Sequence, residues 1–213
     1  MAETTPPDPS PPQAMPPRLY LVTPALSGAE TARFSDTVEA ALATGLVACL
    51  RLAMVPDADD AAWTAAANRL LPLCHAADVP LVATDRPMLV APLGLDGVHL
   101  SASSASIGRL RKELGKDVII GADGGAERHR AMVLAEAGAD YVTIGPVAAA
   151  GDELYQWWSE MIETPVVAEG GIDVDAALRL GPMIDFATPD PDLIWPSPAT
   201  ALPAFAEALG SVA

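Results

Sequence analysis

"DYVTIGPVAAAGDELYQWW", residues Asp140–Trp158, reads as an apolar strand, a Gly-Pro corner and then a helical run from Asp152. Many barrel enzymes open a pocket for a phosphorylated substrate at such a corner, with hydroxyls and a lysine just beyond it. Here the corner is followed by Ala148, Ala149, Ala150, Gly151, Asp152 and Glu153, so neither is present. Upstream, "AEAGADYV" sets Gly138 between a helical stretch and the strand, which is the glycine stop of a helix. Helix, strand and helix therefore follow one another, as in a repeated βα unit.

The same alternation extends toward both ends of the chain. Strands are predicted at 19–23, 46–53, 79–84, 97–100, 117–122, 140–145, 165–170 and 183–188. Helices are predicted over Ala29–Thr44, Asp57–Ala77, Ser103–Leu114, Ala126–Ala137, Asp152–Ile162, Val174–Leu180 and Pro198–Leu209. "DRPMLVAPLGLD", between the third and fourth strands, reads as one turn. Eight strands with intervening helices describe an α/β protein, a single-domain (β/α)8 TIM barrel. A doubly wound open sheet would use fewer strands at 213 residues.

Composition agrees with one large core. Hydrophobic residues make up 51% and aromatics only 5%, so Ala, Val, Leu and Ile must fill it, as in packed parallel strands. Residues 1–17, "MAETTPPDPSPPQAMPP", are proline-rich and aperiodic, which predicts an extended tail ahead of a barrel domain over 18–213.

The formal net charge is −16, from 12 Lys+Arg against 28 Asp+Glu. Such a field repels nucleic acid and anionic membranes, which excludes DNA, RNA and lipid as partners. No apolar run approaches the roughly 20 residues that span a bilayer, and no basic-then-apolar leader opens the chain. Cys49 and Cys74 lack metal-ligand spacing and read as reduced core thiols of a cytoplasmic protein.

A TIM barrel carries its chemistry on the loops after the C-terminal ends of its strands. The motifs there are LYLVTP (19–24), LRLA (50–53), VPLVATDR (79–86), LDGVHLS (95–101), VIIGAD (118–123), GADYVTIGPV (138–147) and PVVAEGGID (165–173). In this order they resemble the thiamine phosphate synthase family and its thiazole tautomerase relatives, from Leu19 to Ala187. The resemblance implies a reaction in which a thiazole phosphate nitrogen displaces pyrophosphate from a hydroxymethylpyrimidine diphosphate, with Mg²⁺ as cofactor. A leaving diphosphate needs cations and aimed donors, and the acceptor's phosphate needs backbone N–H groups at the last loops.

Carried over position by position, the family's Gln, Arg and Lys on the second strand become Cys49, Arg51 and Ala53. A buried guanidinium at Arg51 requires either an interior carboxylate or a bound anion. The family's Asn-Asp-Arg becomes Thr84-Asp85-Arg86, so the resemblance makes Asp85 the Mg²⁺ ligand and Arg51 and Asp85 the catalytic pair. Its second metal aspartate falls on Ser104 and its Gly-Gln pair on Ser101-Ala102. Its phosphate-contacting serine falls on Asp123, which would repel a diphosphate by several kcal/mol unless a metal lay between, and suits an amine or cation. Its Thr-rich loop ending in Lys falls on AAAGDEL (148–154).

His99 in DGVHL is either a core imidazole or a pocket acid–base group, whereas His129 falls on a helix as a solvated residue. Tyr155, Trp157 and Trp158 are expected near the barrel mouth, with the adjacent tryptophans facing different sides. Gly170 and Gly171 allow close backbone approach to a ligand. Pro189, Asp190, Pro191 and Asp192 replace a phosphate loop. The candidate substrate contacts are Arg51, Thr84, Arg86, His99, Asp123, Gly145, Glu169, Gly170 and Gly171, around a small heterocyclic ligand, with a homo-oligomer left open. Three readings follow: a transferase weakened or altered at its diphosphate site, an enzyme for an uncharged or cationic heterocycle, and a non-catalytic binding or assembly protein.

Overall fold

Every predicted apolar run forms a strand in the computed structural model, which describes residues 15–101 and 107–211. Residues 1–14 of the predicted tail, and Ala102 and Ser104, lie outside the described residues. The order is β1 (Arg18–Val22), α1 (Gly28–Leu42), β2 (Val47–Leu52), α2 (Asp60–Ala76), β3 (Leu81–Thr84), α3 (Pro87–Leu93), β4 (Gly97–Leu100) and α4 (Ile107–Leu114). It continues with β5 (Ile119–Asp123), α5 (Arg128–Glu136), β6 (Tyr141–Ile144), α6 (Val147–Ala150), α7 (Asp152–Met161), β7 (Val166–Ile172), α8 (Val174–Leu180), β8 (Phe186–Pro189), α9 (Pro191–Ile194) and α10 (Pro198–Ala208). The strands pair in parallel in sequence order and β1 closes on β8, so the (β/α)8 barrel is observed.

The segment after β3 departs from the expected single turn, because α3 is a seven-residue helix. Pro87 sits in its first turn, where a missing N–H costs nothing, and Gly94 ends it at φ 67°.

Successive strand side chains alternate between two cores. Leu19, Leu21, Leu50, Leu52, Leu81, Val98, Ile120, Val142, Ile144 and Val166 pack outward against the helices. Tyr20, Cys49, Val82, Tyr141 and Val167 fill the interior, with Val22, Ile119 and Phe186 against them. Two phenol rings fit there because glycine lies beside them: a Cβ on Gly121 would come 1.9 Å from Tyr141 Cζ.

One device recurs on the N-terminal rim. Asp96, just before β4, accepts a hydrogen bond from Leu81 N at 2.8 Å. Asp140, before β6, accepts from Ile120 N at 2.7 Å, and Asp185, before β8, accepts from Val166 N at 2.8 Å. Each carboxylate caps the opening of the preceding strand, where a backbone donor would otherwise lack a partner. Cys49 and Cys74 are buried and unbridged. Burial, reinforced by Asp96, pushes the Cys74 thiol up to about 12. No helix among the described residues is long and apolar enough to cross a membrane.

Candidate active site

The inward positions at the C-terminal ends of the strands surround a cavity of about 270 Å³, lined by Arg51, Thr84, His99, Ser101, Asp123, Thr143, Gly145, Pro146, Glu169 and Gly170. Arg51 is 7% exposed. Its Nη1 donates to Glu169 Oε2 at 3.1 Å, and its Nη2 donates to Glu169 Oε1, a two-pronged ion pair between β2 and β7. Of the two partners expected for the arginine, an interior carboxylate or a bound anion, the structure supplies the carboxylate. Among the described residues, Arg51 Nε is buried without a partner, as is the Thr84 hydroxyl.

Beneath this pair, the guanidinium lies 5.8 Å from the centroid of the Tyr20 ring. The Tyr20 and Tyr141 hydroxyls meet at 2.6 Å, and His99 Nδ1 lies 3.1 Å from the Tyr141 oxygen. Burial first, and then nearby Arg51, hold the His99 imidazolium well below the ordinary histidine range, so the ring is neutral. Burial likewise lifts both phenols. His99 thus lines the cavity while bonding to a phenol beneath it, which joins the core and pocket readings of that residue.

Around the rim, Asp85 occupies the left-handed region at φ 54°, which aspartate tolerates better than most residues. Its Oδ1 accepts from Ser101 N at 2.9 Å and its Oδ2 from the Ser101 hydroxyl. Asp123 Oδ1 accepts from Gly125 N at 2.8 Å, and its Oδ2 lies 3.7 Å from Arg130. Close approach rather than side-chain chemistry explains Gly145, where a Cβ would stand 1.9 Å from the Glu169 carbonyl oxygen.

Other candidates sit elsewhere. Arg86 donates to the Ala58 carbonyl at 3.3 Å and lies over the Trp63 ring, outside the cavity lining. Gly171 is exposed beyond the lining. His129 is exposed on α5. The expected aromatic cluster at the mouth is divided. Tyr155 donates to the Ile144 carbonyl at the end of β6, but Trp158 donates to the Thr164 carbonyl, ahead of β7 and at the opposite rim. Trp157 lies under Arg128, 4.1 Å from the guanidinium carbon. Thr143, Pro146 and Arg130 were not singled out from the sequence. The period of two along β6 carries the signal for Thr143, since Tyr141, Thr143 and Gly145 share a face.

Magnesium requires oxygen ligands in octahedral array, and it is commonly held by one or two carboxylates with phosphates and waters. Among the described residues no three His, Cys, Asp or Glu side chains gather as a metal cage. Asp85, exposed at the rim with Ser101 orienting it, fits an ion shared with a bound diphosphate rather than one resident in the protein alone.

A closed barrel with a small polar cavity at the C-terminal ends of its strands defines the class: a TIM barrel built around a small-molecule site. Residues 19–180 match the Thiamine monophosphate synthase family, and the chain belongs to that family. It is 41% identical over 169 residues to the Thiamine-phosphate synthase of Rhodospirillum centenum, covering 75% of this chain and 80% of that one. It is 36% identical to the enzyme of the same name from Erythrobacter litoralis, over 76% of this chain and 80% of that one. Among solved structures, thiamine phosphate pyrophosphorylase from Pyrococcus furiosus superposes with a TM-score of 0.77 at 22% identity, covering 91% of this chain and 96% of that one. A 3-hexulose-6-phosphate synthase from Salmonella typhimurium superposes at 0.65 and 17% identity, covering 91% and 99%. Both structural likenesses concern the fold.

Proposed function

We propose that this protein is a cytoplasmic transferase of thiamine biosynthesis, of the thiamine phosphate synthase type, with a weak hold on diphosphate. In that reaction the thiazole nitrogen bonds to the pyrimidine's methylene carbon, and pyrophosphate leaves with the electrons of the broken C–O bond. In this cavity the Arg51 guanidinium is the cationic group placed to meet developing charge, beside the Thr84 side chain. Asp123 offers a carboxylate acceptor to an amino-substituted ring. Asp85 would hold Mg²⁺ jointly with the diphosphate, and the bound ion would offset charge on the leaving oxygen.

The observation that carries the weak-hold reading is that Arg51, the one arginine or lysine in the cavity lining among the described residues, is already engaged by Glu169. The test is pyrophosphate release from the pyrimidine diphosphate and thiazole phosphate, with the Rhodospirillum centenum relative as the standard. The expected result is slow, Mg²⁺-dependent release that saturates only at high diphosphate concentration and is abolished by Asp85→Asn. Saturation as tight as the relative's would overturn the weak hold.

An acidic cavity also favours a second reading, an uncharged or cationic heterocycle held by Asp123 and Glu169. If no pyrophosphate is released while unphosphorylated thiamine precursors raise the melting temperature, that reading replaces the first, because a ligand that binds only the folded state stabilises by RT ln(1 + [L]/Kd).

A further inference from the structure

We propose that Glu169 is a built-in competitor for Arg51: its carboxylate occupies the place on the guanidinium that an anionic group would take, and so sets the affinity of this cavity for diphosphate. The inference rests on the reading that the cavity receives a diphosphate-bearing substrate.

The two partners are unequally free. The Arg51 side chain is 8% exposed and rises from inside β2, whereas the Glu169 side chain is 28% exposed. Glu169 also precedes Gly170 and Gly171, at φ 78° and 86°, on the open side of β7. Glu169 can therefore turn outward and regain water, while Arg51 stays where it is.

The guanidinium recognises oxyanions through parallel N–H bonds. With Glu169 in place, both Nη atoms are taken and Nε alone lacks a partner. An arriving diphosphate then finds both Nη atoms occupied and Nε closed off from solvent, beside a carboxylate. Once Glu169 turns away, it finds both Nη atoms free. Asp123 provides the contrast: it is the other acid of the lining, but its contacts are with Gly125, Thr143 and Arg130, not Arg51. Neutralising either acid adds one positive unit to the cavity, yet only Glu169→Gln uncovers the arginine, because the Asp123 charge is already offset by Arg130 and the Gly125 N–H, which lowers the repulsion expected from the sequence.

Calorimetric titration of wild type, Glu169→Gln and Asp123→Asn with inorganic pyrophosphate tests this. Glu169→Gln should bind about tenfold more tightly than wild type, with Asp123→Asn changing much less. Unimproved binding by Glu169→Gln, or equal improvement by Asp123→Asn, overturns the proposal. Weak binding by both wild type and Glu169→Gln would sink the competitor but leave the weak hold standing. Tight wild-type binding that Glu169→Gln tightens further would do the reverse. If Glu169→Gln fails to fold, wild-type crystals grown in concentrated pyrophosphate decide: the anion on both Nη atoms with Glu169 displaced supports the proposal, and an intact Arg51–Glu169 pair overturns it.

Discussion

Tyr20 and Tyr141 bring their hydroxyls to 2.6 Å of each other inside the barrel, and His99 adds a contact to Tyr141 at 3.1 Å. Tyr141 is the hub, since Tyr20 and His99 both bond to it. Tyr141→Phe would strand two buried polar groups and Tyr20→Phe only one side of one contact. An unsatisfied buried group costs about 1–3 kcal/mol, so Tyr141→Phe should lose that much in urea unfolding and Tyr20→Phe less. Equal losses would show that the hub does not govern the network.

Gly121→Ala tests the space that the phenol needs. Its Cβ would meet Tyr141 Cζ at 1.9 Å and the hydroxyl oxygen at 2.3 Å, and a ring packed inside a barrel has no room to retreat. Overpacking a core costs about 1–3 kcal/mol or more, so a lowered melting temperature is expected, and Tyr141→Leu in the same chain should recover part of it.

The neutral His99 couples stability to pH. Its folded value lies well below the ordinary 6.5, so below that pH the unfolded chain binds a proton that the folded chain refuses. Stability contributed by the neutral ring is whole above pH 6.5 and declines as pH falls, by up to about 1.4 kcal/mol per pH unit. Urea midpoints measured from pH 7.5 to pH 5.5 should fall more steeply for wild type than for His99→Gln. Parallel curves would remove His99 as the cause.

The barrel was legible in the sequence because its strands are short apolar runs set off by glycine-stopped helices, a pattern that needs no long-range information. The helix α3 was hidden by the shortness of its segment, which reads as a single turn, although Pro87 stands where a helix accepts one. Within the site, the need of Arg51 for a carboxylate or a bound anion was visible from its place on an apolar strand. The identity of that carboxylate was not, because Glu169 lies 118 residues away and meets Arg51 only after the barrel closes. The position of Trp158 was hidden for a related reason: α7 runs back along the barrel, so Tyr155 reaches the end of β6 while Trp158, one turn on, reaches Thr164 ahead of β7.

Asp185 offers a clean test of the strand ties, since its Oδ2 accepts from Val166 N on the rim away from the cavity. Asp185→Ala should cost about 1–3 kcal/mol by leaving that N–H without its acceptor, and Asp185→Asn, which keeps an acceptor oxygen, should cost less. Pyrophosphate binding should not change in either variant. Altered binding would mean that the two rims are mechanically coupled.

Those aspartate ties give the barrel a division of labour. Three pairs of neighbouring strands are tied at one end by carboxylates bound to backbone, while the loops that shape the cavity lie at the other. A lineage can therefore rewrite the second end, exchanging lysines and hydroxyls for acids and alanines, and still inherit a sound vessel.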